Sequence, residues 1–343
     1  MGLRAYILKR AINTVVLVLF VIVINFLIFE LIPGTSGAIA NLVGTGKIQN
    51  PATVNKLLIL DGFCKGFDTS GHCIPTSVWD QFTAYFQNML TFQFGVSYQP
   101  PNQPILNEMI SSGRLVNTLL LLGVSTALSL VIGIFLGVYA AAKRGSIFDS
   151  GWVTASLVTF SLPTFFMGLL FILVFTQILH WFPPGQVVPS SWTISQPPLL
   201  DQIVPRLQHL FLPVMTLTLF FYGGHLLLTR ATMLESLSED YIVTARAKGL
   251  SERAVLFKHA LKNASLPIVT NAALSFGFIL SGAIITETIF NWKGLGLWLF
   301  NSINAKDYPV MQAMFYIIAL CVILANFIAD VIYGILDPRI KYQ

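Results

Sequence analysis

Six stretches of this chain are apolar over about twenty residues or more, and no other feature restricts its fold as severely. A helix needs about 20 residues to cross the hydrocarbon of a bilayer, and residues 11–31, 117–142, 152–179, 210–229, 266–286 and 309–336 each supply such a run. Inside a membrane every backbone polar group must find a partner within the protein, so runs of this length are helices. Composition agrees: 55% of the 343 residues are apolar and 10% charged, with a mean hydropathy of +0.73. The expected fold class is an all-α integral membrane protein with six transmembrane helices. Pro213, Gly223, Gly224 and His225 interrupt the fourth run, which neighbouring helices can compensate.

Basic residues set the orientation. With six spans, one side of the membrane holds thirteen of the twenty Lys and Arg residues, and the other seven are spread over much longer polar sequence. The positive-inside rule then places both termini and the 230–267 loop in the cytoplasm. The net charge of +5 is a topology signal, with no basic-aromatic interleaving to suggest nucleic acid. Ile32-Pro33-Gly34 offers no small-x-small cleavage site, so the first run reads as an uncleaved anchor. The chain divides into a basic lead and first helix (1–32), an extracytoplasmic segment (33–114) and a core of five helices (115–343).

The extracytoplasmic segment carries Cys64 and Cys73, nine positions apart. In an oxidising compartment their simplest reading is a disulfide closing a small loop. His72 adjoins Cys73, but no second pair with ligand spacing accompanies them, which argues against a metal. Cys321, inside the last run, reads as a buried free thiol. Glu30 closes the first run at its outer end, where a carboxylate costs less than at the bilayer centre. Gly133 and Gly137 form a G-x-x-x-G step that permits close helix approach. Pro163 predicts a kink in the third run, and Trp181, Phe182, Pro183, Pro184 and Gly185 suit an interfacial belt. In the fifth run, Ser275, Gly277, Ser281 and Gly282 stand among large apolar residues; they either seat a neighbouring helix or widen a transport path. Asn326 and Asp330 share one face of the sixth, where Asp330 can pair with a neighbouring helix or a lipid headgroup.

The polar stretch 230–267 holds six of the basic residues. It reads as two short helices joined by a tight corner. Ser238 is the expected cap of the first, whose opening turn holds Glu239 and Asp240 and whose last turn holds Arg246 and Lys248, as the helix dipole prefers. Gly249 ends it, Ser251 caps the next, and Pro267 marks the next change of character. Ala245, Ala247 and Gly249 leave backbone near the surface, which suits docking by another protein. The chain has no phosphate-binding glycine loop, no H-E-x-x-H pair, no G-x-S-x-G elbow and no dinucleotide glycine motif. A membrane chain with a docking elbow, small-residue helices and no catalytic group is most economically a transport subunit driven by a partner. An intramembrane enzyme, and a passive channel or secretion scaffold, are the competing classes.

The run Ser238-Glu239-Asp240-Tyr241, continuing through Thr244-Ala245-Arg246-Ala247-Lys248-Gly249-Leu250-Ser251 to His259-Ala260-Leu261-Lys262-Asn263-Ala264 and Leu266-Pro267, resembles the cytoplasmic loop of the permeases of ABC importers of the dipeptide, oligopeptide and nickel group. Ile32-Pro33-Gly34, Gly95-Val96-Ser97, Ser161-Leu162-Pro163-Thr164, Glu287-Thr288-Ile289-Phe290, Gly294-Leu295-Gly296, Asp307-Tyr308-Pro309 and Leu336-Asp337-Pro338-Arg339-Ile340 extend the likeness over nearly the whole chain. The resemblance implies a type I importer permease fold, a homologous second permease, two cytoplasmic ATPase subunits that bind ATP and Mg, and an extracytoplasmic substrate-binding protein, with no cofactor in this chain. It also implies that the loop's first short helix, Tyr241 to Ser251, couples to the ATPase. Val243-Thr244-Ala245 replaces the Glu-Ala-Ala of the wider superfamily, and the distance from Gly249 to Leu266-Pro267 is longer than in the sugar-importer branch, departures that favour the peptide-type branch.

Overall fold

The computed structural model describes residues 3–31, 55, 59, 64–68, 73–98, 101–193 and 197–336. It is predominantly helical. The elements are α1 (Leu3–Phe26, closing in a π turn Leu27–Leu31), β1 (Cys64–Phe67), β2 (Cys73–Pro75), α2 (Val78–Leu90), β3 (Val96–Tyr98), β4 (Pro101–Pro104), α3 (Ile105–Ser111), α4 (Arg114–Ala142), α5 (Ile147–Ser161), α6 (Thr164–Phe171, closing in a π segment Ile172–Ile178), α7 (Leu199–Leu237), α8 (Asp240–Ala247), α9 (Glu252–Ala254, continued by a π segment Val255–Ala260), α10 (Leu261–Ile289), α11 (Leu295–Ala305) and α12 (Tyr308–Leu336). Among the described residues four helices, Ala5–Leu31, Arg114–Ala142, Leu199–Leu237 and Tyr308–Ile328, are long and apolar enough to cross a membrane. The pair Ile147–Ser161 and Thr164–Ile178 makes a fifth if it counts as one crossing. The expected span at 266–286 falls within α10, where the side chains of residues 273–283 lie outside the described part.

Proline has opposite effects at different positions. The expected kink at Pro163 is a full break: α5 and α6 meet at 100°, with Leu162 extended at φ −79° and ψ 131°, the region preferred before proline. The expected interruption of the fourth run does not occur. α7 runs through Pro205 and Pro213 as one helix of 39 residues. Pro267 does not mark a boundary either, since it lies inside α10. Helices tolerate a missing donor where packed neighbours hold the flanking turns.

The chain forms two compact units, one of residues 1–11, 116–297 and 324–343, the other of residues 12–115 and 298–323. In the first, α7 is the central strut. Gly133 and Gly137 of α4 lie against it so closely that a Cβ on them would stand 2.8 Å from the Tyr222 and Leu226 carbonyl oxygens, respectively, so the G-x-x-x-G step is a packing seam. Gly223 makes the reciprocal approach, its would-be Cβ 2.8 Å from the Ser156 carbonyl of α5. Asp330 pairs with Arg10 at 3.1 Å.

In the second unit, Phe26 packs edge-on to Phe82 at 5.2 Å between centroids, and Phe29 lies against Phe315 at 5.4 Å. Two short antiparallel ladders, β1 with β2 and β3 with β4, decorate it. Ser77 caps α2 by accepting from the Asp80 amide at 3.1 Å. Asp307 is buried and accepts from Ser97 Oγ at 2.6 Å and the Tyr98 amide at 3.1 Å, which joins β3 to the start of α12. Cys64 is buried and β1 pairs with β2, Phe67 opposite Cys73; the Cys73 side chain lies outside the described part. Cys321 is a free, partly buried thiol.

Candidate functional site

Residues 230–267 form the elbow expected from the sequence, with a different first cap. Ser238 is the residue after α7, and its hydroxyl donates back to the Glu235 carbonyl at 2.7 Å. Glu239 occupies the N-cap position of α8 in extended conformation without a side-chain bond. The reason is register: α7 continues to Leu237, which leaves Ser238 on the departing helix.

The corner at Gly249 is a Schellman turn. The Leu250 amide reaches the Ala245 carbonyl at 3.4 Å and the Gly249 amide the Arg246 carbonyl at 2.9 Å, with Gly249 at φ +77°. Glycine adopts this left-handed conformation without the Cβ penalty other residues incur. Open space surrounds its missing Cβ, so the requirement is backbone conformation alone. Ser251 caps α9 as expected, accepting from the Ala254 amide at 3.3 Å. Across the corner Arg246 donates to both Glu252 oxygens at 2.8 and 3.2 Å, and this bond holds its guanidinium above the ordinary arginine range.

One side of the elbow is fixed. Ile242 and Ala245 are buried in a cluster with Val138, Met233, Val255, Leu256 and Ala260. Tyr241 Oη lies 2.5 Å from Ser236 Oγ, which donates to the Ala260 carbonyl at 3.0 Å. At its root, Arg230 donates Nε to Asp149 Oδ1 at 2.6 Å and Nη2 to Oδ2 at 2.8 Å; Asp149 also accepts from the Gly145 amide at 2.9 Å. The opposite side is bare: Glu239, Asp240, Val243, Thr244, Arg246, Ala247, Lys248, Gly249 and Leu250 are exposed, Val243 at 63%. An α-helical turn held rigidly from below with a mixed polar and apolar outer face is a docking shape. It offers no nucleophile paired with a base. Sequence reasoning missed Asp149, Ser236 and Glu252; only the i+6 spacing of Arg246 and Glu252 around a glycine corner was a local signal.

Glu287 and Gly294-Leu295-Gly296, two of the motif stations, meet in a second constellation. Glu287 is fully buried. Its Oε1 accepts from Thr118 Oγ1 at 2.7 Å and its Oε2 from the Leu297 amide at 2.9 Å, while Thr118 Oγ1 accepts from the Leu295 amide at 2.8 Å. Two otherwise unsatisfied amides at the start of α11 are thereby answered. A Cβ at Gly294 would collide with the Glu287 carboxylate and Thr118 Oγ1. Ser275, Gly277, Ser281 and Gly282 are on the α10 helix, with side chains outside the described part. Among the described residues no cluster of three or more His, Cys, Asp or Glu is suited to a metal.

Residues 133–342 match the family described as binding-protein-dependent transport system inner membrane component. The chain is 35% identical over 340 residues to the oligopeptide transport system permease protein AppB of Bacillus subtilis (strain 168), covering 99% of this chain and 100% of that one. It is 36% identical over 286 residues to the dipeptide transport system permease protein DppB of Escherichia coli (strain K12), 78% of this chain and 82% of that one. With the di/tripeptide transport system permease protein DppB of Pseudomonas aeruginosa (strain UCBPP-PA14) it shares 42% identity over 222 residues, 62% of this chain and 66% of that one.

Proposed function

This chain belongs to the family of binding-protein-dependent transport system inner membrane components, and we propose that it forms, with a second permease, the translocation path of an ATP-driven importer of peptides. It is a non-catalytic membrane subunit. ATP and Mg belong to two cytoplasmic ATPase partners, and substrate arrives from an extracytoplasmic binding protein. The observation that carries this reading is the elbow, whose inner face is locked by Ile242, Ala245 and the Arg230–Asp149 pair and whose outer face is bare. A rigid lever exposed on one side transmits the movement of a bound ATPase to the helices behind it.

In this reading Glu239, Asp240, Tyr241, Thr244, Ala245, Arg246, Ala247, Lys248, Gly249, Leu250 and Ser251 form the coupling element. Six helices cross the membrane, α10 supplying the one at 266–286, with both termini cytoplasmic and residues 33–114 extracytoplasmic. Ser275, Gly277, Ser281 and Gly282 line the path at the interface with the second permease. Cys64 and Cys73 form a disulfide across the β1–β2 ladder, and alkylation without reductant should leave both unlabelled. Reconstitution with two ATPases, the second permease and the binding protein tests the function: a dipeptide should stimulate ATP hydrolysis and enter the vesicles. Stimulation by an oligosaccharide or a nickel chelate instead would reassign the cargo, and a substrate flux indifferent to ATP would make the chain a channel. Single cysteines at 275, 277, 281 and 282 should be labelled by a water-soluble thiol reagent in a manner that changes with ATP; uniform protection would make that face a packing seam.

A further inference from the structure

In the second unit, α2 has three faces, and packing within the chain accounts for only one of them. Tyr85 and Met89 are buried and define the face turned toward the protein. At about 100° per residue, Phe82, Phe86, Trp79 and Leu90 follow on one flank, in a sector about 80° wide. Asp80, Thr83, Ala84 and Gln87, all exposed, fill the next sector. The flank is apolar but uncovered: Trp79 is 70% exposed and Leu90 47%, with Phe82 and Phe86 half-buried. Its rings form a row, Trp79 to Phe82 at 5.8 Å and Phe82 to Phe86 at 5.9 Å between centroids. The one charge of the helix, Asp80, stands on the polar face and pairs with Lys65 at 3.1 Å.

Depth decides what meets the flank. α1 and α12 are long and apolar enough to cross a membrane over Ala5–Leu31 and Tyr308–Ile328. Phe26, which packs edge-on to Phe82, stands five residues before the end of the first crossing, about 7 Å along its axis. Just past α2, Phe92 and Phe94 lie 6.4 and 6.1 Å from Tyr316 between centroids. Tyr316 is eight residues into the other crossing, about 12 Å from its start. α2 is thereby held near the depth of about 5–10 Å at which interfacial helices bury their apolar face. Around Phe26, the α1 residues Val23, Ile24, Leu27 and Ile28 are exposed, so the flank continues the surface that α1 turns to lipid.

We propose that α2 is a membrane-surface helix whose flank of Trp79, Phe82, Phe86 and Leu90 lies on lipid, at the boundary of acyl chains and headgroups in the leaflet where α1 ends. Thr83 and Gln87 then face water. Tryptophan suits that boundary, because its ring is apolar and its indole N–H can bond to a headgroup or to water. The flank carries no charge, so its attraction is apolar and does not require anionic lipid. The lipid contact is independent of cargo and of coupling to an ATPase.

The test uses the full-length chain in phosphatidylcholine nanodiscs, alone and assembled with a second permease and the binding protein. The fluorescence difference between wild type and Trp79→Phe isolates Trp79 among the six tryptophans. Phosphatidylcholine brominated near the glycerol end of its acyl chains should quench this difference strongly, lipid brominated near the methyl end less, and aqueous acrylamide only weakly. Gln87→Trp in the Trp79→Phe background should behave in the opposite way, quenched by acrylamide and not by either lipid. The Trp79 pattern should persist in the assembly. Quenching of Trp79 by acrylamide and not by lipid would put the flank in water and overturn the proposal. Protection from both reagents, in the chain alone or only in the assembly, would mean that protein covers the flank and overturns it equally. So would equal lipid quenching at positions 79 and 87, because a helix immersed on all sides is not at a boundary. If Trp79→Phe does not fold, Leu90→Trp read against wild type reports on the same flank with the same expected pattern.

Discussion

The elbow at Gly249 and the corner at Glu287 are built on the same turn and put it to opposite uses. Both helices end in a Schellman motif: Leu250 to Ala245 and Gly249 to Arg246 in one, Trp292 to Glu287 at 2.8 Å and Asn291 to Thr288 at 3.2 Å in the other. The left-handed residue is Gly249 at φ +77° in the first and Asn291 at φ +46° in the second. Beyond the turn they diverge. The elbow's charged groups meet in solvent, with Arg246 and Glu252 both largely exposed. The Glu287 corner buries its carboxylate completely, and the residues that follow it in the chain, Phe290, Trp292, Leu295 and Leu297, are buried as well. A turn alone therefore does not distinguish a docking surface from a structural latch; the burial of the residues around it does.

The sharpest way to break this comparison is Glu287→Leu. It removes the acceptor of Thr118 Oγ1 and the Leu297 amide in a fully buried site, and unsatisfied buried groups cost about 1–3 kcal/mol each. The expected loss is about 3–5 kcal/mol, read as a fall in melting temperature and in yield of inserted protein. A near-neutral result would mean that water reaches the corner. Next comes the root of the elbow: Arg230→Met strands Asp149, whose side chain is 4% exposed. Stability should fall by about 3 kcal/mol, as when one partner of a buried pair is removed, and Asp149→Asn with Arg230→Met should recover part of it.

Gly249→Val should cost less in stability, about 1–3 kcal/mol of backbone strain, since nothing crowds the site. Its larger effect falls on function: the chain should insert normally while ATP hydrolysis by the partners ceases to drive uptake. Gly249→Asn sharpens the point, because Asn291 already holds the same conformation in this molecule; uptake should be retained. Unchanged uptake in Gly249→Val would remove the coupling role. The smallest effect belongs to Arg246→Ala. An exposed pair contributes about 0.2–1 kcal/mol and is screened by salt. Glu252 raises the Arg246 pKa, so the bond's contribution is complete below the ordinary arginine range and is lost only as pH rises through the higher folded value. Melting temperature should therefore vary with ionic strength and not with the titration of Arg246 between pH 6 and pH 9, a window far below the range in which an arginine loses its proton.

The elbow was legible because its signals are local. Acidic residues open α8, Arg246 closes it, Gly249 supplies the left-handed corner and Ser251 the next cap, all within thirteen residues of Glu239. Two local readings failed: Ser238 as a cap, because propensity does not say where α7 stops, and Pro267 as a boundary, because α10 runs through it. The carboxylates were not legible. Asp149 finds Arg230 81 positions away, Glu287 finds Thr118 169 positions away, and Asp307 finds Ser97 210 positions away.

Proline separates what the sequence determined from what only tertiary structure decided. The apolar runs alone dictate a helical membrane protein, because a backbone in hydrocarbon must bond to itself. Pro163, Pro205, Pro213 and Pro267 share the same missing donor and the same fixed φ, yet Pro163 ends a helix at a 100° bend while Pro205, Pro213 and Pro267 are carried through. Proline lowers the cost of breaking at every one of these positions by similar amounts. Whether a helix breaks depends on what its far side packs against, and that is a property of neighbours brought together from distant parts of the chain.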